Sequence, residues 1–143
     1  MQIWNAARRK AQWLVPIFLL CFITSAVHAA DEAAGPHSIP SVDAGIGSCS
    51  VVLTVRDESS APVYAAKVRV HIAYGFAGAH KMDLEAGTNV DGKARFDGLP
   101  DRVKQALHFE ASKDDREGSA FYNPSENCKA EHEIVIRKTP PQQ

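Results

Sequence analysis

The stretch "TNVDGKARFDGLP", residues 88–100, brings several strand and turn signals together in thirteen residues. Thr88 is a β-branched residue placed to end one strand, and Asp91–Gly92 is typical of a tight hairpin turn, which needs positive φ. Ala94 and Phe96 then alternate onto one face of a second strand, and residues 98–100, Gly-Leu-Pro, end it. We predict a hairpin here in which every residue has a structural task and none needs a chemical one.

The same two-residue alternation of apolar and polar side chains continues on both sides of this stretch. Turn-forming residues separate the alternating runs, and no run of about 10–12 residues carries a helical stripe. The pattern predicts an all-β fold, a seven-strand Greek-key β-sandwich of the immunoglobulin-like or transthyretin-like kind. The predicted strands are residues 50–57, 67–74, 80–87, 93–99, 105–112, 119–123 and 131–138. The predicted core consists of Leu53, Val70, Phe96, Phe109 and Ile134.

Residues 1–29 have the composition of a secretory signal peptide. Three basic residues precede an uncharged apolar run, "WLVPIFLLCFITSAV", which closes on Val27-His28-Ala29 with small residues where a signal peptidase reads. We expect cleavage after Ala29, with Ala30 as the alternative site. A retained membrane anchor is the rival interpretation, but the run is shorter than the roughly 20 residues that a spanning helix needs. The protein would then contact the membrane only through its signal peptide, before cleavage.

The remaining chain divides into a leader, a domain and a tail. Residues 30–47 are rich in Ala, Gly, Ser and Pro and predict a flexible leader. Residues 48–138 hold the predicted sandwich, and residues 139–143 a loose tail. Loss of the signal peptide leaves 13 basic and 17 acidic residues. Because a nucleic-acid binder normally shows a basic patch, we set that class aside.

Two cysteines remain after cleavage, Cys49 and Cys128. In an exported chain an even pair predicts a disulfide. Cys49 opens the first predicted strand and Cys128 precedes the last, and the terminal strands of such sandwiches often lie near each other. Both the signal peptide and the cysteine pair predict a periplasmic or secreted protein.

Two segments at the right spacing carry a family resemblance. The motif T-x-x-D-G-x-A-x-F-x-G-L-P, residues 88–100, resembles the middle of carboxypeptidase regulatory-like domains, which are transthyretin-like sandwiches. The run "VRDESSAPVYAAKVRV", residues 55–70, is similar to the family's first hairpin, although Ser59, Ser60 and Ala61 stand where the family usually has a glycine. The resemblance implies the sandwich fold and a structural or adhesive role, and it carries over no catalytic residue.

Candidate binding residues are few, and each has an ordinary structural alternative. Gly75 and Gly78 flank Phe76 in "YGFAGAH", so an interaction loop of Tyr74, Phe76 and His80 is predicted there. We expect Tyr74 itself and Phe121 to belong to the core. His71, His108 and Glu110 fall on outward strand positions and are weak candidates for a metal site, with solvated surface side chains as the alternative. No cofactor is predicted.

These observations predict an exported, non-catalytic module with a structural or protein-interaction role in the cell envelope. Its expected partner is an envelope protein or a glycan. A carbohydrate-binding module is the first alternative, although no tryptophan remains after cleavage to offer a large stacking face. The second alternative is an uncharacterised enzyme or a metal-binding accessory protein, but no nucleophile elbow or other catalytic motif surrounds the serines and histidines.

Overall fold

The computed structural model describes residues 35–139. The predicted signal peptide, the first residues of the predicted leader and the end of the predicted tail lie outside this range. Two β-sheets face each other and enclose the core, as the alternation predicted. The strands are β1 (Ser41–Asp43), β2 (Cys49–Arg56), β3 (Lys67–Tyr74), β4 (His80–Gly87), β5 (Lys93–Leu99), β6 (Leu107–Lys113), β7 (Arg116–Tyr122), β8 (Lys129–Val135) and β9 (Arg137–Lys138). A single 3₁₀ turn, Phe76–Gly78, joins β3 to β4.

The two sheets differ in strand direction as well as in size. The four-stranded sheet has the order β1–β5–β2–β8, and the five-stranded sheet has the order β4–β3–β6–β7–β9. All ladders of the five-stranded sheet are antiparallel, whereas β1 runs parallel to β5 and β8 runs parallel to β2. Each of the seven predicted spans overlaps a strand. Two short strands bring the number to nine: β1, which was not predicted, and β9, which is split off from the predicted span 131–138.

The first added strand corrects part of the leader interpretation. Residues 41–43 form β1, which extends the four-stranded sheet by pairing with β5. Ala44 follows and is buried, and the carboxylate of Asp43 accepts a hydrogen bond from the Gly45 backbone N–H at 2.8 Å. Further along, Gly47 lies so close to the end of β5 that a Cβ would collide with the Leu99 carbonyl oxygen. The glycine that suggested flexibility in the sequence therefore permits close packing.

The second added strand arises because the last predicted strand changes sheets. β8 pairs with β2 in the four-stranded sheet, and β9 pairs with β7 in the five-stranded sheet. Ile136 lies between them, fully buried, and its backbone N–H donates to the Arg56 carbonyl oxygen at 2.9 Å. One continuous apolar alternation thus serves both sheets.

The core lies between the sheets and contains every predicted member. Leu53, Phe96, Phe109 and Ile134 are fully buried and Val70 is nearly so. Phe96 and Phe109 come from opposite sheets and meet edge to face, with ring centroids 5.0 Å apart. The disulfide between Cys49 and Cys128 joins the beginnings of the parallel neighbours β2 and β8, and it confirms the predicted pairing.

The stretch 88–100 has a different role from the predicted hairpin. β4 lies in the five-stranded sheet and β5 in the four-stranded sheet, so the Asp91–Gly92 turn carries the chain from one sheet to the other. Gly92 has φ 73°, and a Cβ there would collide with the Val55 carbonyl oxygen, which explains why only glycine fits. The Asn89 side chain accepts hydrogen bonds from the backbone N–H groups of Asp91 and Lys93 and shapes the turn.

Thr88 pins this crossing from inside the protein. It is buried, with 3% of its surface exposed. Its hydroxyl donates to the Val63 carbonyl oxygen at 2.6 Å and accepts from the Ala66 N–H at 2.9 Å. The two bonds tie the beginning of the crossing to the loop between β2 and β3.

We predict that Thr88→Val destabilises the domain although the side chain keeps its shape. The valine would leave the Ala66 N–H and the Val63 carbonyl without their partner, and each buried polar group left unsatisfied costs about 1–3 kcal/mol. Urea unfolding of both proteins measures the difference. Thr88→Ser keeps the hydroxyl and is the control. If Thr88→Val and Thr88→Ser unfold at the same urea concentration, the hydroxyl does not pin the crossing.

The facing of β3 and β6 is tested by a pair of truncations. Phe109→Ala removes a fully buried ring and should lower the free energy of unfolding by about 3–5 kcal/mol. His71→Ala removes an exposed side chain and should change it by about 0.5 kcal/mol or less. Thermal or urea unfolding of the two variants measures both changes. If His71→Ala destabilised the domain more than Phe109→Ala, the assignment of inward and outward faces on β3 and β6 would be wrong.

Candidate functional site

A cleft opens in the five-stranded sheet because β3 and β6 part halfway along β3. β3 pairs with β4 over its whole length, from Lys67 to Tyr74. It pairs with β6 only over Lys67–Val70, and beyond that point the segment before β6 turns away. The space left between them has a volume of about 890 Å³ and is lined by the second half of β3, the turn after it and residues 102–108. This size falls within the roughly 300–1,000 Å³ of ligand clefts.

Four side chains make a row across the outer face of the sheet at the cleft. His71 of β3 stands opposite Asp83 of β4, and its Nδ1 lies 2.6 Å from the Asp83 carboxylate. His108 of β6 stands opposite Phe121 of β7, and the two rings stack with centroids 4.6 Å apart. All four are exposed. The row presents a hydrogen-bonded histidine–aspartate pair at one side of the cleft and a stacked pair of rings at the other.

The neighbouring row is an ion-pair network. Glu85 of β4 receives Arg69 at 2.6 Å and Lys67 at 3.2 Å, both from β3. Hydrogen bonds from these two cations hold the pKa of Glu85 below its ordinary value. Arg69 also stands opposite Glu110 of β6. The cations on the β3 side of the cleft are therefore paired with acids of the sheet itself.

The other wall of the cleft, residues 101–106, is anchored beside the disulfide. The Asp101 carboxylate accepts hydrogen bonds from the Ser48 backbone N–H at 2.9 Å and from the Ser48 hydroxyl at 2.8 Å. These bonds hold the pKa of Asp101 below its ordinary value. The Val103 N–H donates to the Ser125 hydroxyl at 3.2 Å. The wall is thus fixed at its base, while Arg102 and Lys104 extend into solvent along it.

The predicted interaction loop closes one end of the cleft. Gly75 and Gly78 have φ of 77° and 72°, as a glycine-flexed turn requires, and Gly75 packs so closely that a Cβ would meet the His80 ring. The rings of Tyr74 and His80 stack with centroids 5.3 Å apart across the base of the turn. Phe76 is 94% exposed at its tip. The stacked rings hold the turn at its base, and the Phe76 ring projects into solvent. Tyr74 is half-buried rather than a full member of the core.

The three weak metal candidates share the cleft but do not form a ligand set. His71 is engaged by Asp83, and His108 lies 3.7 Å from Glu110. Within residues 35–139, the one group of possible ligand atoms that converge is Cys49, Asp101 and Cys128. Its two sulfurs are bonded to each other, so neither is a thiolate able to bind a metal. No hydrogen bond of the described residues joins His71 or His108 to a hydroxyl or thiol.

The expectation that Phe121 belongs to the core is wrong. Phe121 is 64% exposed, whereas its neighbour Tyr122 is buried. Tyr122 donates its hydroxyl hydrogen bond to the Cys128 carbonyl oxygen at 2.9 Å, and burial raises its pKa. Since successive strand residues point to opposite faces, only one ring of the pair enters the core. The hydroxyl gives Tyr122 a polar anchor at the sheet boundary, which a phenylalanine lacks.

Arg102 and Lys104 were missed as site residues because the signal for them is weak. They lie in a segment, "LPDRVKQAL", whose sequence resembles a helical turn as much as a loop. Only the parting of β3 and β6 places them on a cleft wall. Asp83 was missed in the same way, since its relation to His71 depends on the register between β3 and β4.

Comparisons with known proteins give weak likenesses of fold. No protein-family model matches the sequence, and no curated protein matches it. Similar solved structures include a catechol 1,2-dioxygenase from Acinetobacter inhibited by bound mercury, with 12% identity, a TM-score of 0.45, and coverage of 71% of this chain and 59% of that one. A 3-chlorocatechol 1,2-dioxygenase from Rhodococcus opacus has 11% identity, a TM-score of 0.42, and coverage of 71% and 64%.

A chlorocatechol 1,2-dioxygenase from Pseudomonas putida is similar to the same degree, with 11% identity, a TM-score of 0.42, and coverage of 70% of this chain and 67% of that one. The chain thus spans less than two thirds of the first two structures. Within residues 35–139, no helix is long and apolar enough to cross a membrane.

The anchoring of the cleft wall by Asp101 predicts an acid sensitivity. Because the pKa of Asp101 is lowered in the folded protein, its bonds to Ser48 stabilise the fold above the ordinary value of 3.8. This contribution is lost as the pH falls through the lower, folded-state pKa. Asp101→Asn keeps an acceptor oxygen that does not titrate, so its melting temperature should fall less steeply between about pH 4 and pH 2.

Melting curves of the two proteins over that range measure the effect. Asp114→Asn, in the exposed turn between β6 and β7, is the control and should follow the unaltered protein. Equal acid slopes for Asp101→Asn and the unaltered protein would show that Asp101 does not stabilise the fold through its charged form.

Proposed function

We propose that this chain is an exported, non-catalytic β-sandwich that binds a protein partner in the cell envelope. The observation that carries the proposal is Phe76, which is 94% exposed on a braced turn beside the cleft. Contact with a partner would remove the apolar surface of this ring from water, and aromatic anchors dominate the energy of protein interfaces. Because the turn has a fixed conformation before binding, little conformational entropy would be lost there when a partner binds.

Export is supported by two independent features. The disulfide between Cys49 and Cys128 suits an oxidising compartment, and the composition of residues 1–29 is that of a secretory signal peptide. The resemblance of residues 55–70 and 88–100 to carboxypeptidase regulatory-like domains adds the expectation of a structural or adhesive module. The proposal includes no reaction: the partners of the two cleft histidines, Asp83 for His71 and Glu110 for His108, are carboxylates.

A carbohydrate-binding module is the second candidate function, and one observation favours it. The stacked rings of His108 and Phe121 form a flat exposed surface at the edge of the cleft, and sugars stack on such faces. The surface is small, however, since each ring is partly covered by the other.

The proposal predicts that Phe76→Ala weakens partner capture without weakening the fold. Protein carrying an affinity tag is cross-linked in its native envelope, and the captured partners are quantified. Loss of an aromatic anchor typically costs 2 kcal/mol or more at an interface, so we expect capture to fall roughly tenfold or further. The melting temperature should stay nearly unchanged.

Tyr64→Ala is the matched control, because Tyr64 is also an exposed aromatic residue, at 63%, but precedes β3 rather than following it. Equal capture by Phe76→Ala and unaltered protein would contradict the proposal, as would a large fall in melting temperature. Binding to an array of glycans that is lost in Phe121→Ala and kept in Phe76→Ala would favour the carbohydrate-binding module instead.

A further inference from the structure

The backbone of β3 has an unpaired edge inside the five-stranded sheet. From His71 to Tyr74 the strand is paired with β4 on one side only, because the ladder with β6 ends at Val70 and Phe109. Within residues 35–139, no other strand takes the place of β6 along this edge. Continuing the register would set His71 opposite His108, yet His108 is paired with β7 alone. About 13 Å of strand edge therefore faces the cleft.

The shape of the cleft suits an added strand. Its 890 Å³ lies between this edge and residues 102–108, where one further strand would stand in a continuous sheet. An extended segment of another protein satisfies an open strand edge through backbone hydrogen bonds, and pockets beside it read alternate side chains. A glycan offers hydroxyl groups but no regular backbone ladder, so the open edge favours a peptide.

Charge points to the kind of peptide. On the β3 side, Arg69 is neutralised by Glu85, and His71 is engaged by Asp83. On the opposite wall, Arg102 and Lys104 are exposed and have no ion-pair partner among the described residues. Arg102 also interacts with the neighbouring Asp101 carboxylate, which is already hydrogen-bonded to Ser48. Two exposed cations beside an open strand edge, neither held in an ion pair, complement an acidic side chain or a terminal carboxylate.

We propose that the cleft receives an extended, acidic segment of the partner protein, which pairs its backbone with β3 at residues 71–74 and places a carboxylate against Arg102 and Lys104. This inference rests on the proposed function only in taking the partner to be a protein. It assigns the recognition of that partner to the strand edge and the two cations, apart from the contact made by Phe76.

The probe for the test is a displayed library of random decapeptides, selected on the exported protein. We expect the enriched peptides to alternate β-branched residues and to carry Asp or Glu. Synthetic copies of the best peptide should slow hydrogen exchange at alternate backbone amides of residues 71–74. Methylation of alternate peptide nitrogens removes the donors of a ladder and should weaken binding at least tenfold.

Two double charge reversals test the cations. Arg102→Glu with Lys104→Glu should weaken the best peptide tenfold or more, while Lys113→Glu with Lys129→Glu changes charge equally outside the cleft and should leave the affinity within about twofold. Circular dichroism and melting curves confirm that both proteins fold.

The inference is overturned if no peptide is enriched. It is also overturned if the enriched peptides bind the Arg102→Glu, Lys104→Glu variant as tightly as the unaltered protein. Slower hydrogen exchange only at amides outside residues 71–74 would overturn it as well. Partner capture by the unaltered protein and its dependence on Phe76 are measured separately. If the cleft binds no peptide while the protein still captures a partner through Phe76, this inference is refuted and the proposed function is retained.

Discussion

The contact between Phe96 and Phe109 is the constraint on which the rest of the structure depends. These rings come from different sheets and meet at 5.0 Å in the middle of the core. Once Phe109 points inward, the alternation along β6 sends His108 and Glu110 outward. Phe96 likewise fixes β5, against which β1 and β2 both align. The chemistry of the cleft is thus a consequence of how the core is packed.

The fold was predictable from the sequence to the extent that it follows from alternation. Burial of one face sets the period of two, and Leu53, Val70 and Ile134 lie inside as that period requires. Alternation does not determine which strands are neighbours. The Asp91–Gly92 turn has the local geometry of a tight turn. Whether such a turn joins neighbouring strands or crosses between sheets depends on contacts with distant residues, among them the hydrogen bonds of Thr88 with Val63 and Ala66.

The candidate site was predictable only in its local part. Phe76 lies in a turn between Gly75 and Gly78, which both have positive φ. The two glycines can be read from the sequence, so the exposed turn could be predicted. The cleft exists because the pairing of β3 with β6 ends at Val70. No sequence signal near Val70 indicates that the pairing ends there. Arg102 and Lys104 gain their position from this parting. Site residues that depend on pairing between distant strands need the structure to reveal them.

The passage of the chain from β8 to β9 through Ile136 has a consequence for how the protein comes apart. β8 is bonded to β2 and β9 to β7, so this single segment is shared between the two sheets. The Ile136 side chain between them is fully buried, so this segment contributes to the core as well as to both ladders. Ile136 therefore links the packing of one sheet to that of the other, and we expect the two sheets to unfold together, as small single domains usually do.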